Sequence, residues 1–138
     1  MLPSVDMIVD ISKALEKFFG CSGKMLKPSR ATIEAFINEI PEDRLVTTDL
    51  MRKELARRHG VEVTCPYDTR MVLQSIANDP QTQVPYWRVI KANGELNPKY
   101  PGGQQGHAVQ LQAAGFNLET AGKVFRVSQY KHSLVQFD

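Results

Sequence analysis

Thr47-Thr-Asp-Leu-Met-Arg-Lys-Glu-Leu-Ala-Arg-Arg-His-Gly60 and, after a connector over 61–68, Thr69-Arg-Met-Val-Leu-Gln-Ser-Ile-Ala77 decide how this chain is read. In the first stretch Thr47 or Thr48 can cap a helix by accepting a backbone N–H. Leu50, Met51 and Leu55 supply its apolar side, and Gly60 ends it. Arg52, Lys53, Arg57 and Arg58 fall outside those apolar positions. In the second stretch Met71, Val72, Ser75 and Ile76 share one side, while Arg70, Gln74 and Asn78 form an i, i+4, i+8 row that can face a partner. Such a pair, with a polar row on its second member, has the parts of a helix-turn-helix.

Working outward, Ser29 opens a helix with Ile33, Phe36, Ile37 and Ile40 on one face, and Pro41 ends it by removing a backbone donor. Ile8, Ile11, Leu15 and Phe18 predict an amphipathic helix over 4–20, capped by Ser4 and stopped by Gly20, and 21–28 reads as a linker. Val61 to Thr64 is a short strand or a loop, and Val84 to Ile90 reads as extended. Ala92-Asn-Gly-Glu95 is a turn, Asn97 to Gln104 a Pro- and Gly-rich loop, and 105–114 a helix stopped by Gly115. Lys123 to Ser128 and His132 to Phe137 alternate as a hairpin. The predicted fold is mainly α with a small β hairpin, a winged helix-turn-helix with an N-terminal amphipathic helix. Residues 1–28 form the helix and linker, and residues 29–138 the winged-helix domain.

A chain of 138 residues with 42% apolar and 23% charged residues suits one folded domain and excludes a multi-domain cofactor enzyme. No apolar stretch approaches the roughly 20 residues of a membrane span, and the N-terminus lacks a signal-peptide pattern, so no membrane partner and a cytoplasmic setting are expected. Cys21 and Cys65 are too few for a disulfide framework or a zinc site, and His59, His107 and His132 have no ligand-spaced companions. Neither a metal nor a cofactor is expected. Net charge is +2, but residues 1–43 carry five basic against seven acidic groups and the remainder twelve against eight. The balance permits a nucleic-acid partner without demanding one.

Several further motifs fall in a fixed order. They are Ile40-Pro-Glu-Asp-Arg-Leu-Val-Thr-Thr48, Arg70-Met-Val-Leu-Gln-Ser-Ile76, Val84-Pro-Tyr-Trp-Arg-Val-Ile90, Asn93-Gly-Glu-Leu96, Pro101-Gly-Gly103 and Leu111-Gln-Ala-Ala-Gly-Phe116. With them the chain resembles, from about Ser29 to Phe116, the DNA-binding domain of the alkylguanine-DNA alkyltransferases, and in particular looks like their alkyltransferase-like relatives, which lack the reactive cysteine. The resemblance implies a winged helix in the minor groove that inserts an arginine into the base stack and flips a guanine into a pocket. Flipping costs a few kcal/mol, so a residue must fill the gap and a pocket must receive the base. Arg70 matches the inserted arginine, and Arg88 the arginine of the family's Pro-Cys-His-Arg-Val motif.

The departures remove one chemical device. Tyr86 stands in place of the nucleophilic cysteine, Trp87 in place of its histidine, and Ala114 in place of the family's glutamate. Alkyl transfer needs an activated thiolate, and a phenol of pKa near 10 without an activator does not replace one. Asp49 stands where a tyrosine would rotate the target phosphate, which a carboxylate would repel, and Leu73 replaces a glycine. The expected function is a non-enzymatic, alkyltransferase-like protein that binds duplex DNA, with alkylated or distorted bases as its targets.

The expected DNA-binding residues are Arg70, Gln74, Asn78, Arg52, Lys53 and Arg57, with a solvated helix face as the plain alternative for the last three. Tyr86, Trp87 and Arg88 are the expected base pocket, where aromatic faces could stack on a base or simply fill the core. No catalytic residue is expected. Pro98 to Gly103 reads as a structural wrap. The rival function is a winged-helix protein-interaction module that has lost DNA binding and takes a protein partner on the Ile8, Ile11, Leu15 and Phe18 stripe.

Overall fold

Ile33, Phe36 and Ile37 of one helix close on Val72, Leu73 and Ile76 of another, and the chain is arranged around that contact. The computed structural model describes residues 4–137. In chain order it runs β1 (Met7–Asp10), α1 (Lys13–Phe19), β2 (Lys24–Lys27), α2 (Arg30–Glu39), β3 (Val46–Thr47), α3 (Thr48–Arg58), β4 (Val63–Thr64) and α4 (Pro66–Ala77). A 3-10 turn at Tyr86–Arg88 leads to β5 (Val89–Ile90), α5 (Gly103–Ala113), β6 (Leu118–Ala121), β7 (Val124–Val127) and a last 3-10 turn at Tyr130–Ser133.

The central helices begin where polar caps satisfy free backbone donors. Ser29 Oγ accepts the Thr32 N–H at 3.3 Å, and Thr47 Oγ1 the Leu50 N–H at 3.4 Å. α4 starts three residues before its expected first residue, Thr69, because Pro66 fixes the first helical φ and Cys65 Sγ takes the Asp68 N–H at 3.5 Å. α2, α3 and α4 send their apolar faces to one core, and Trp87 packs against both that core and a second one around Leu45, Ile90, Leu96 and Leu111.

The architecture is mixed rather than mainly α. Among the described residues five α-helices are joined by a three-stranded sheet in the order β1-β2-β4, a parallel pair β3-β5 and the hairpin β6-β7. The predicted N-terminal amphipathic helix over 4–20 is corrected: 7–10 is a strand, and the helix is the short α1, capped by Ser12 instead of Ser4, with Gly20 in the left-handed conformation at its end. The β-branched run Ile8, Val9 and Ile11 suits a strand, and its hydrogen bonds come from β2. The expected stripe is split accordingly. Ile11 is buried at 6% exposure, while Ile8, Leu15 and Phe18 remain exposed.

The expected linker also contains a strand, since β2 pairs antiparallel with β1 and parallel with β4 directly ahead of α4. Residues 1–3 of that segment lie outside the described residues. The hairpin falls earlier than 123–137: Gly122, at φ +66°, turns Leu118–Ala121 onto Val124–Val127, and 130–133 coils instead of extending. Among the described residues no helix is long and apolar enough to cross a membrane.

One buried ion pair ties the N-terminal unit to α4. Lys27 Nζ on β2 stands 2.9 Å from Asp68 Oδ2 in the first turn of α4, and no other donor among the described residues reaches that oxygen. Lys27→Ala should therefore strand a buried carboxylate and lower stability by about 2 kcal/mol, less than for a fully enclosed pair because part of the lysine is solvated. Denaturant titration checks this, and adding Asp68→Asn should restore part of the loss.

Candidate nucleic-acid interface

α4 has an outer face because its inner one is spent on the core. Val72, Leu73 and Ile76 are buried, and Arg70 and Gln74 are left facing out over a cavity of about 500 Å³. Arg52 from α3 lines the same cavity, and across it stand Lys91, Asn97 and Lys99. That volume lies within the range of small-molecule sites. No carboxylate lines it, and among the described residues the one within 4.0 Å of its cations is Glu95, 4.0 Å from Lys91. Arg70 is exposed, its guanidinium carbon 5.6 Å from the Tyr67 ring centroid in a cation–π contact. The result is a positively charged recess beside an outward arginine.

The wall opposite α4 is a loop held from several sides. His107 Nδ1 accepts the Asn97 N–H at 3.0 Å, which places the ring proton on Nε2, and Nε2 donates to the Trp87 carbonyl at 2.8 Å. Tyr100, fully buried, donates its hydroxyl to the Val89 carbonyl at 3.1 Å, and burial raises its pKa. Gln104 donates to Leu96 O and accepts from Phe125 N, each at 3.0 Å. Gly106 is required, because a Cβ there would come within 2.0 Å of the Pro101 carbonyl oxygen. The loop is thus the structural wrap expected, yet it also delivers Lys99 to the cavity.

Of the expected DNA-binding residues, Arg70, Gln74 and Arg52 meet at this cavity. Lys53 does not line it but lines the neighbouring groove, which Arg52 also lines. Arg57 is turned back to the buried Glu54, with contacts of 2.7 and 2.8 Å, and Arg58 joins the same carboxylate. The Arg57 and Arg58 bonds hold the Glu54 pKa down to about 2. Asn78 acts as a strut: its Nδ2 donates to Gln74 O at 2.8 Å and to Lys99 O at 3.1 Å, tying the loop to the end of α4.

The residues of the expected base pocket, Tyr86, Trp87 and Arg88, are each engaged in packing or backbone contacts. Tyr86 is 8% exposed, packed edge-on against Trp87 and Tyr100 with ring centroids 5.4 and 5.1 Å away. Trp87 is wedged between the two cores, and Arg88 donates to the Ile40 carbonyl at 2.8 Å with its Nε buried and unpartnered among the described residues. None of the three lines the cavity beside Arg70. Asp49 does not line it either; its neighbour Thr48 does. The sequence reading missed Lys91, Asn97 and Lys99 as cavity residues, because only the fold of the loop carries them to α4.

No family model matches the chain, and no curated protein matches it in sequence. Among solved structures it is similar to S. pombe Atl1 in complex with damaged DNA containing O6-carboxymethylguanine, and to S. pombe ATL in complex with DNA. Each likeness has a TM-score of 0.59 at 22% identity and covers 78% of this chain and 94% of the other. The fold is that of these proteins.

His107 makes the loop sensitive to acid. Burial pulls its pKa down to about 4, against 6.5 in the unfolded chain, so the unfolded state takes up the proton first as pH falls. Stability is complete above about pH 6.5 and declines as pH drops toward 4. Denaturant titrations at pH 7 and about pH 4.5 should differ by about 2–3 kcal/mol from this group, and His107→Gln should remove that part of the difference.

Proposed function

We propose that this chain is a non-catalytic, alkyltransferase-like DNA-binding protein that takes an alkylated or distorted base from a duplex into the cavity beside Arg70. The observation that supports it best is the placement of an outward arginine on α4 at the mouth of a cationic recess. The fold is shared with proteins whose structures are in complex with DNA, in one case damaged DNA containing O6-carboxymethylguanine. In this reading α3 and α4 are the helix-turn-helix and β6-β7 is its wing.

The physical roles follow from position. Arg70 fills the gap left by the displaced base, which offsets part of the unstacking cost. Arg52, Lys91 and Lys99 attract the phosphates around it, and Gln74 offers both a donor and an acceptor to a base edge. Alkyl transfer has no agent here. Tyr86 sits in the core with its pKa raised by burial, Cys65 is buried and caps α4, and neither cysteine lines the cavity. Binding is the whole activity.

Titration of a fluorescent duplex with and without an O6-alkylguanine tests this. Arg70→Ala should weaken binding to the alkylated duplex by about 2 kcal/mol, roughly 30-fold. Lys99→Ala should weaken both duplexes alike and reduce the slope of log affinity against log salt by about one. Equal binding of the two duplexes, or an Arg70→Ala variant indistinguishable from the parent, would contradict the reading.

A further inference from the structure

Phe18 is 72% exposed at the end of a helix whose neighbouring residue, Phe19, packs against a small core of Ile11, Met25 and Cys65. The two rings meet edge-on at 5.1 Å, and Phe18 points away from that core. A large aromatic side chain held this far out is unusual, and an exposed apolar patch of this kind marks a contact surface when it joins others. Here it does. A groove of about 520 Å³ runs between α1 and α3, with Phe18, Val61 and Val63 among its apolar residues and Arg52 and Lys53 among its cations. Glu62 also lines it.

This groove is continuous with the cavity beside Arg70. Arg52 and Pro66 belong to both, and an apolar hollow lined by Leu15, Phe18 and Tyr67 leads from α1 to Arg70 itself. The position of α1 is fixed relative to α4. β2 pairs with β4 immediately ahead of α4, and Lys27 reaches Asp68 inside its first turn. The N-terminal unit therefore carries Phe18 at a set distance from the arginine.

Resting on the DNA-binding reading above, we propose that the groove between α1 and α3 is a second grip on the same duplex, in which Phe18 of α1 and Tyr67 of α4 contact the sugars or bases flanking the displaced base while Arg52 and Lys53 of α3 hold the phosphates. Cations beside an apolar floor match a strand that alternates charged phosphates with apolar sugar and base faces. Continuity with the cavity puts that strand on the groove.

The test uses the whole chain and three duplexes: one with a central O6-alkylguanine, and two in which the arm on one side or the other of the lesion is trimmed away. Phe18→Ala should weaken binding to the full duplex about tenfold, as for loss of one stacked or packed base, and Phe18→Glu more. Both variants should melt like the parent, since the ring is exposed. On one of the trimmed duplexes the Phe18 effect should vanish while the Arg70→Ala effect persists. If both Phe18 variants bind within twofold of the parent while Arg70→Ala still weakens binding, the second grip is refuted and the DNA-binding reading stands. If the parent chain binds none of the duplexes, the reading falls and the grip with it.

Discussion

The two-sidedness of α4 is the constraint on which the rest of the structure depends. Val72, Leu73 and Ile76 must be dry, and burying them against α2 fixes the rotation of the helix about its axis. Arg70 and Gln74 then have no choice but to face out. Burial of three such side chains is worth several kcal/mol, far more than any surface contact made by the outward row. The orientation of the candidate interface is thus a by-product of core packing. A change that alters the inner face would move Arg70 without touching it.

The cavity needs a second wall, and the chain builds it from a loop with little regular structure. A loop of that kind holds its shape through specific side-chain bonds, here from His107, Tyr100, Gln104 and Asn78, and through the close approach that Gly106 allows. Tyr86 packs edge-on against Tyr100 of that loop, and Trp87 packs against both cores.

Much of the helical skeleton was legible in the sequence, because α2 and α3 carry their own caps, apolar spacing and stop signals at Ser29, Pro41, Thr47 and Gly60. The row on α4 was legible for the same reason. What could not be read was non-local. β2 looks like a linker until β1 and β4 supply its partners, and the stripe from Ile8 to Phe18 has helical spacing by coincidence. At the site, Arg70, Gln74 and Arg52 follow from helical periodicity. Lys91 and Lys99 reach the cavity only through the folding of the loop, and Asn78 turned from candidate contact to strut for that same reason. The sequence leaves Tyr86 and Trp87 open between base stacking and core filling; in the structure Tyr86 is buried and Trp87 packs, partly exposed, against both cores.

The central claim is that the recess beside Arg70 receives a base taken out of its stack. The most direct measurement is the emission of 2-aminopurine placed next to an O6-alkylguanine in a duplex, since a stacked fluorophore is dim and brightens when its neighbour leaves. Saturating protein should raise that emission, and saturating Arg70→Ala should raise it far less. Tight binding with no change in emission would mean that the duplex is held with its bases stacked, and would contradict the account.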